Sequence, residues 1–154
     1  MGRTGKRRQG NVGAHSLTLN DAAAPPHGGA IGIDIVEIKR LEKSSRRWGK
    51  DFLNKVYTKK ELAYAMAKRF PYQHLAARFA AKEAIFKALG EVETDFVGWK
   101  NIEILNNAFG KPIVHWHGQA EKTRLKRGLE GALVSLSHTE NYAVASAMLV
   151  FKKS

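Results

Sequence analysis

Residues 78–90 read Arg78-Phe79-Ala80-Ala81-Lys82-Glu83-Ala84-Ile85-Phe86-Lys87-Ala88-Leu89-Gly90, a composition typical of a helix that stops at its glycine. Residues four apart on a helix lie one above the other, so Glu83 and Lys87 share a face. Ala76 and Ala80 belong to the same face, and two such small residues leave room for a ligand near the backbone. We therefore treat this face as a candidate site for a metal ion and a phosphate.

The same residues also have a simpler interpretation. A glutamate followed by a lysine four positions later is a common solvent-facing pair, worth about 0.3–0.5 kcal/mol. Lys82 is harder to explain, because it falls within an apolar stripe of helical period that comprises Leu75, Phe79, Phe86 and Leu89. A lysine in that position either extends to solvent or has a specific partner.

Periodicity and helix-end signals predict the remaining elements. Helices are expected at 38–48, 58–69, 71–89 and 119–127, and strands at 30–36, 101–105, 113–116, 132–137 and 142–151. Thr58 and Glu61 fit a capping box, and Pro71 suits the first turn of a helix. Helices on one face of a largely antiparallel sheet predict an α+β domain.

Composition excludes several functional classes. The chain of 154 residues is long enough for one domain with a modest core. It has no cysteine, which excludes disulfides, thiolate metal sites and a cysteine nucleophile, and which suits the reducing cytoplasm. The longest uncharged apolar run, 142–151, is too short for a membrane helix of about 20 residues, so we expect no membrane partner.

Positive charge is the strongest compositional bias. The net charge is +12, of which residues 1–29 contribute +3 and the remainder +9. Nucleic acid, an anionic cofactor and an acidic protein partner all fit a basic domain. Residues 1–29 are rich in glycine, alanine and proline, and we predict a disordered basic tail followed by one domain at 30–154. A transit peptide or an upstream start are the other interpretations of the tail.

Three further motifs accompany residues 78–90. They are Ile31-Gly32-Ile33-Asp34-Ile35-Val36-Glu37, Phe109-Gly110-Lys111-Pro112 and Ser135-Leu136-Ser137-His138-Thr139. In this order and spacing, the set resembles the holo-acyl-carrier-protein synthase family, the small 4′-phosphopantetheinyl transferases. The likeness extends from about residue 30 to about residue 151. Each motif alone is weak evidence, whereas the combination is specific.

The resemblance implies a reaction and a set of site residues. The 4′-phosphopantetheine arm of coenzyme A would move to a serine of apo-acyl carrier protein, leaving 3′,5′-ADP, in the service of fatty acid biosynthesis. Mg²⁺ would neutralise the diphosphate with one or two carboxylates as ligands. By match, the roles are Asp34 and Glu83 for the metal, Lys87 for the diphosphate, Gly110 and Lys111 beside the adenine, and Ser137 and His138 for the 3′-phosphate of coenzyme A.

The identity of the general base is left open by this match. Glu83 is one candidate for taking the serine proton directly. A water on Mg²⁺, oriented by Asp34 or Glu83, is the other. Phosphoryl transfer depends mostly on positioning and charge, so the base matters less than the metal.

The resemblance also implies partners. Family members of this length are homotrimers with sites between subunits, so His138 and Asp34 at one site would come from different chains. The acidic carrier would dock on the basic helix after β-strand 30–36, where Arg40 matches the carrier-contacting arginine and Arg46 and Arg47 are further candidates. A solvated basic face is the alternative interpretation of these arginines.

Two other functions fit parts of the sequence. A nucleic-acid-binding protein would explain a pI near 10.1 and three tryptophans, but the chain shows no recognised nucleic-acid motif and its aromatics do not interleave with basic runs. A relative that binds coenzyme A without transferring is the second rival, and it is disfavoured because every matched polar position is intact. We therefore predict a Mg²⁺-dependent transferase with no nucleic acid partner.

Overall fold

The computed structural model describes residues 29–90 and 97–153. The predicted tail at 1–29 lies outside this part of the chain, apart from Gly29. In chain order the elements are β1 (Ala30–Glu37), α1 (Ile38–Val56), α2 (Lys59–Met66), α3 (Pro71–Leu89), a 3₁₀ turn (Trp99–Asn101), β2 (Ile102–Asn106), β3 (Pro112–Trp116), α4 (Gly118–Lys126), β4 (Leu129–His138) and β5 (Tyr142–Phe151).

The strands form two antiparallel sheets, which confirms the α+β prediction. The larger sheet has the order β1-β5-β4, and the smaller is the β2-β3 hairpin. One row of the larger sheet aligns Asp34 with Ala145 and Ala145 with Leu136. Because side chains alternate across a strand, these residues and their two-residue neighbours face α3, while the intervening residues face the other way.

Helix α3 packs unusually close to β1. A Cβ built on Gly32 would lie 2.0 Å from the carbonyl oxygen of Ala84 and 2.9 Å from the amide nitrogen of Ala88. Ala76 and Ala80 of α3 are completely buried against the rest of the chain. The expectation that these two alanines leave room for a ligand is therefore wrong, because their small size serves packing instead.

The helix start predicted at Thr58 is confirmed, whereas the predicted length of α1 is too short. Thr58 accepts a hydrogen bond from the amide of Glu61, and the carboxylate of Glu61 accepts one from the amide of Thr58, which confirms the capping box. Helix α1 continues to Val56, beyond the predicted end at residue 48, with a kink where Gly49 adopts a φ of 62°. Glycine tolerates that conformation, so the chain resumes its helical course after the kink.

Lys82 is a buried ion-pair partner and does not extend to solvent. Its side chain is 0% exposed. Its ammonium donates to Glu61 Oε2 at 2.8 Å, to the Val56 carbonyl at 2.8 Å and to the Trp99 carbonyl at 3.1 Å. Glu61 also accepts a hydrogen bond from the amide of Ile104 at 2.9 Å. One lysine thus joins α3 to α1, α2 and the turn before β2.

The strand predicted at 101–105 is confirmed as β2, but its residues do not alternate between buried and exposed, because three successive ones are buried. Glu103 is among them. Its carboxylate accepts a hydrogen bond from Thr58 Oγ1 at 2.6 Å and lies 3.0 Å from His117 Nε2. These two partners make an inward glutamate compatible with burial. None of the described helices has the length and apolar character that a bilayer span requires.

Candidate active site

Asp34 and Lys87 form an ion pair between β1 and α3. Lys87 Nζ lies 2.7 Å from Asp34 Oδ1 and 3.1 Å from the carbonyl oxygen of Ile33. The lysine side chain is 53% exposed and the aspartate side chain 15%. The strand therefore brings Asp34 inward to the helix, and Lys87 contacts Asp34 across 53 sequence positions.

Glu83 lies one helical turn before Lys87, in the same group. Burial raises the pKa of Glu83, the nearby charge of Asp34 raises it further, and Lys87 lowers it. Two carboxylates close enough for the charge of Asp34 to raise the pKa of Glu83 make a site that attracts a cation. The structure thus brings Asp34, Glu83 and Lys87 together, which the sequence separation alone did not establish.

The acidic pair fits a magnesium ion by the chemistry of its donors. Asp34 and Glu83 offer carboxylate oxygens, and Asp34 already holds one cation, the ammonium of Lys87. Within residues 29–90 and 97–153, no three His, Asp or Glu side chains converge as a complete cage. Mg²⁺ is typically bound by one or two carboxylates together with substrate phosphates and waters, so two carboxylates suffice.

A groove of about 520 Å³ opens beside the two carboxylates. Asp34 and Glu83 lie in its wall with Arg40 of α1. The rest of the lining consists of one further acidic residue, Glu37, and of aromatic, aliphatic and hydroxyl side chains, namely Phe52, Phe79, Leu41, Ile35, Val36, Ser44 and Tyr142. The groove therefore offers an anion-attracting residue and apolar walls next to the candidate metal site.

The three arginines predicted for docking differ in their surroundings. Arg40 lines the groove. Arg47 lies on the same helical face, seven residues further, with its guanidinium 5.0 Å from the ring centroid of Trp48. Arg46 points elsewhere and pairs with Glu42 at 2.7 Å. Arg40 and Arg47 therefore form one basic stripe that leads away from the groove.

His138 belongs to a second cluster, on another side of α3. Its ring centroid lies 5.8 Å from that of His74, which lies 5.8 Å from that of Tyr64. The Arg78 guanidinium is 4.2 Å from the centroid of the Tyr64 ring. Burial lowers the pKa of His74, and the charges of Arg78, His138 and Lys68 lower it further. The cluster is therefore rich in positive charge and suited to an anion.

The turn that contains Gly110 and Lys111 is tied to this second cluster. Asn106 donates to the Gly110 carbonyl at 2.7 Å and accepts from Arg78 Nη2 at 2.6 Å. Gly110 has a φ of 80°, a conformation that favours glycine. Neither Arg78 nor His74 is among the site residues predicted from the sequence. Their spacing of four residues, which puts both on one helical face, was the available signal.

The two clusters do not meet within one chain. Arg78 and Glu83 are five residues apart on α3, which corresponds to about 140° around the helix axis and a rise of about 7.5 Å. Ser137 and His138, adjacent on β4, leave the sheet on opposite faces. Asp34, Glu83 and Lys87 thus form one group, while His138, Gly110 and Lys111 lie around Arg78 in another.

Comparison with known sequences gives a consistent match. Residues 30–147 match the 4′-phosphopantetheinyl transferase superfamily. The holo-[acyl-carrier-protein] synthase of Chlorobium limicola is 43% identical over 119 residues, which are 77% of this chain and 91% of that protein. That of Carboxydothermus hydrogenoformans is 45% identical over 118 residues, 77% of this chain and 94% of that protein.

Solved structures agree with the sequence match. The holo-[acyl-carrier-protein] synthase of Neisseria meningitidis aligns with a TM-score of 0.72 and 32% identity, covering 78% of this chain and 96% of that one. The Helicobacter pylori synthase, solved in complex with coenzyme A, aligns with a TM-score of 0.68 and 27% identity, covering 77% and 98%. Together with the acidic pair and its lysine, these matches show that the chain belongs to the 4′-phosphopantetheinyl transferase superfamily, among the holo-[acyl-carrier-protein] synthases.

Proposed function

We propose that this protein transfers the 4′-phosphopantetheine group of coenzyme A to a serine of apo-acyl carrier protein, leaving 3′,5′-ADP. The observation that carries the proposal is the meeting of Asp34, Glu83 and Lys87 beside a groove, in a chain of this family. An acidic pair with an adjacent lysine is suited to bind a metal-complexed diphosphate.

Each residue of this group has a proposed task. Asp34 and Glu83 would hold Mg²⁺, which when bound neutralises the diphosphate and polarises the attacked phosphoryl group. Lys87 would bind a phosphate oxygen on which charge grows during transfer. The serine proton goes either to Glu83, whose raised pKa suits a proton acceptor, or to a water that Asp34 or Glu83 orients.

The second cluster is proposed to hold the 3′-phosphate end of coenzyme A. His138 and Arg78 supply positive charge there, and the turn with Gly110 and Lys111 lies beside them through Asn106. Ser137, the preceding residue on β4, leaves the sheet on the opposite face from His138, and its contact with the 3′-phosphate stays a prediction. The synthase of Bacillus anthracis, 31% identical with a TM-score of 0.65 and covering 80% of this chain and 96% of that one, was solved with coenzyme A as 3′,5′-ADP.

A homotrimer with sites between subunits is the proposed assembly. The outer face of the larger sheet is apolar and exposed, with Ile31 79% exposed and aligned in one row with Met148 and Leu133. A second copy of the chain is the occupant we propose for this face, because unpartnered apolar sheet faces of this kind are typical of interfaces. Subunit packing would also bring the second cluster of one chain to the acidic pair of another, which one chain does not achieve.

The proposed protein substrate is an acidic carrier that docks on the stripe of Arg40 and Arg47. Positive charge on this helix favours an acidic partner and speeds its encounter. Arg46, paired with Glu42, is a weaker candidate for the same role. We place the enzyme in the cytoplasm, in fatty acid biosynthesis, with neither nucleic acid nor a membrane among its partners.

Mass spectrometry of an apo carrier protein tests the proposed function. The carrier is incubated with coenzyme A, Mg²⁺ and this protein, and we expect it to gain one phosphopantetheine group on a serine. Asp34→Asn and Glu83→Gln are the matched controls, since both keep side-chain volume and should remove the gain. A carrier that stays unmodified in the presence of the folded wild-type protein would contradict the proposal.

A further inference from the structure

The ammonium of Lys87 occupies one carboxylate oxygen of Asp34, a residue that would hold the metal ion. It is 2.7 Å from Asp34 Oδ1, with the Ile33 carbonyl as a further acceptor at 3.1 Å. A divalent cation on Asp34 would face this ammonium at short range, and like charges at such a distance repel strongly. The lysine and the metal therefore compete for the same carboxylate.

The two partners differ in their freedom to move. Asp34 lies on a strand paired with β5 and is only 15% exposed, whereas the Lys87 side chain is 53% exposed. A lysine carries its charge on a flexible four-carbon stem with three donors. We therefore expect Lys87 to be the residue that changes its partner, while Asp34 keeps its position.

The formal charges of the group explain what would draw the lysine away. Asp34, Glu83 and Lys87 sum to −1. Adding a divalent cation alone makes the group positive, and the other charged residues of the groove lining, Arg40 and Glu37, cancel each other and do not offset that charge. A diphosphate that arrives with the metal restores balance and gives the ammonium a new acceptor.

We propose that Lys87 acts as a placeholder cation, which neutralises Asp34 until metal and diphosphate bind together and which then moves to a phosphate oxygen. The proposal rests on the function proposed above and adds to it that metal and coenzyme A bind together and not independently. Metal alone binds weakly, because it must displace Lys87, and coenzyme A strengthens metal binding. By linkage, the metal strengthens coenzyme A binding by the same factor.

Direct measurement of Mn²⁺ binding tests the placeholder role without any turnover. Mn²⁺ is titrated by electron paramagnetic resonance, with and without coenzyme A, into the wild type, Lys87→Met and Lys87→Gln. We expect both variants to bind Mn²⁺ alone at least about fivefold more tightly than the wild type, and to show less strengthening by coenzyme A. The wild type should bind Mn²⁺ weakly alone and more tightly with coenzyme A.

Two controls separate this role from general charge effects. Lys43→Met removes one positive charge from α1 outside the groove lining and should leave Mn²⁺ affinity unchanged, and Asp34→Asn should remove Mn²⁺ binding. Unchanged or weaker Mn²⁺ affinity in both Lys87 variants would overturn the proposal, as would an equal gain in Lys43→Met. If the wild type modifies the carrier and both Lys87 variants keep the wild-type Mn²⁺ affinity, the proposed function stands. Only the placeholder role of Lys87 is then overturned.

Discussion

Gly32 of β1 lies against the backbone of Ala84 in α3, so closely that a Cβ on Gly32 would be 2.0 Å from the Ala84 carbonyl oxygen. This contact fixes the separation between the strand that carries Asp34 and the helix that carries Glu83 and Lys87. The close approach involves backbone atoms, which cannot rotate away as a side chain can. Gly32 therefore sets the geometry of the acidic pair although it takes no part in the chemistry.

Gly32→Ala should disrupt both stability and the site. The added methyl group must push α3 away from β1, and such overpacking typically costs about 1–3 kcal/mol. Gly131→Ala in β4 is the matched control, because a Cβ there meets nothing within 4 Å. Thermal unfolding and Mn²⁺ binding measure the two effects. Normal Mn²⁺ affinity in Gly32→Ala would show that the spacing is not critical.

Lys82→Met should destabilise the fold by about 3–5 kcal/mol, because it leaves Glu61 charged and unpaired in the interior. The double variant with Glu61→Gln should cost less than the sum of the two single variants, since it leaves no isolated charge. Urea unfolding of the wild type, the two single variants and the double variant measures the coupling free energy between positions 61 and 82. Arg46→Met breaks an exposed pair with Glu42 and should cost less than about 0.5 kcal/mol. Additive losses at positions 61 and 82 would contradict this view of the buried pair.

His138→Ala should weaken binding of coenzyme A by about tenfold and barely affect 3′-dephospho-coenzyme A, because the lost contact is to the 3′-phosphate. Calorimetry with both ligands measures the difference. The neighbouring His74 adds a pH dependence. Its pKa is lowered by burial and by Arg78, His138 and Lys68, so it is neutral near pH 7.

A bound 3′-phosphate opposes these cations and should raise the pKa of His74. Binding would then take up a proton, so the preference for coenzyme A over its dephospho form should grow as the pH falls from about 8 to about 6. Tyr64, Arg78, His138 and Lys68 are the titratable groups that face His74. Equal losses for both ligands in His138→Ala would place His138 outside the phosphate site.

Ile33→Glu should break the proposed assembly while leaving each subunit folded. Ile33 lies on the exposed apolar face of the larger sheet, where a carboxylate would be buried by a second copy without a partner. Light scattering should show monomers, and transfer should be lost because the two clusters no longer meet. Lys39→Glu, on the exposed part of α1, is the control for an added negative charge and should leave the assembly intact. A trimeric Ile33→Glu protein would contradict the assignment of this face.

Arg40→Glu should raise the carrier's KM strongly, and by a larger factor than it weakens coenzyme A binding. The reversed charge repels an acidic partner and mainly slows encounter, so the defect should shrink as salt rises. Arg46→Glu is the comparison, since Arg46 lies off the stripe and pairs with Glu42. Steady-state kinetics at low and moderate salt measure both. An equal effect of the two substitutions would favour general electrostatic attraction over a defined docking stripe.

Features that depend on nearby residues could be predicted from the sequence. The capping box of Thr58 and Glu61, the start of α3 at Pro71 and its end before Gly90 are examples. Each is decided within one or two helical turns, where spacing determines which groups meet. The four motifs likewise identified the family, and three of the matched residues, Asp34, Glu83 and Lys87, do lie together.

Which side chains pair with one another was decided by the tertiary structure alone. Lys87 contacts Asp34 from 53 positions away, and Lys82 contacts Glu61 from 21 positions away. Glu103 is a buried acidic residue, and its partners Thr58 and His117 come from other parts of the chain. Local periodicity states which residues share a face. Which other segment covers that face depends on how close two backbones approach, and at Gly32 that distance follows from the absence of a side chain.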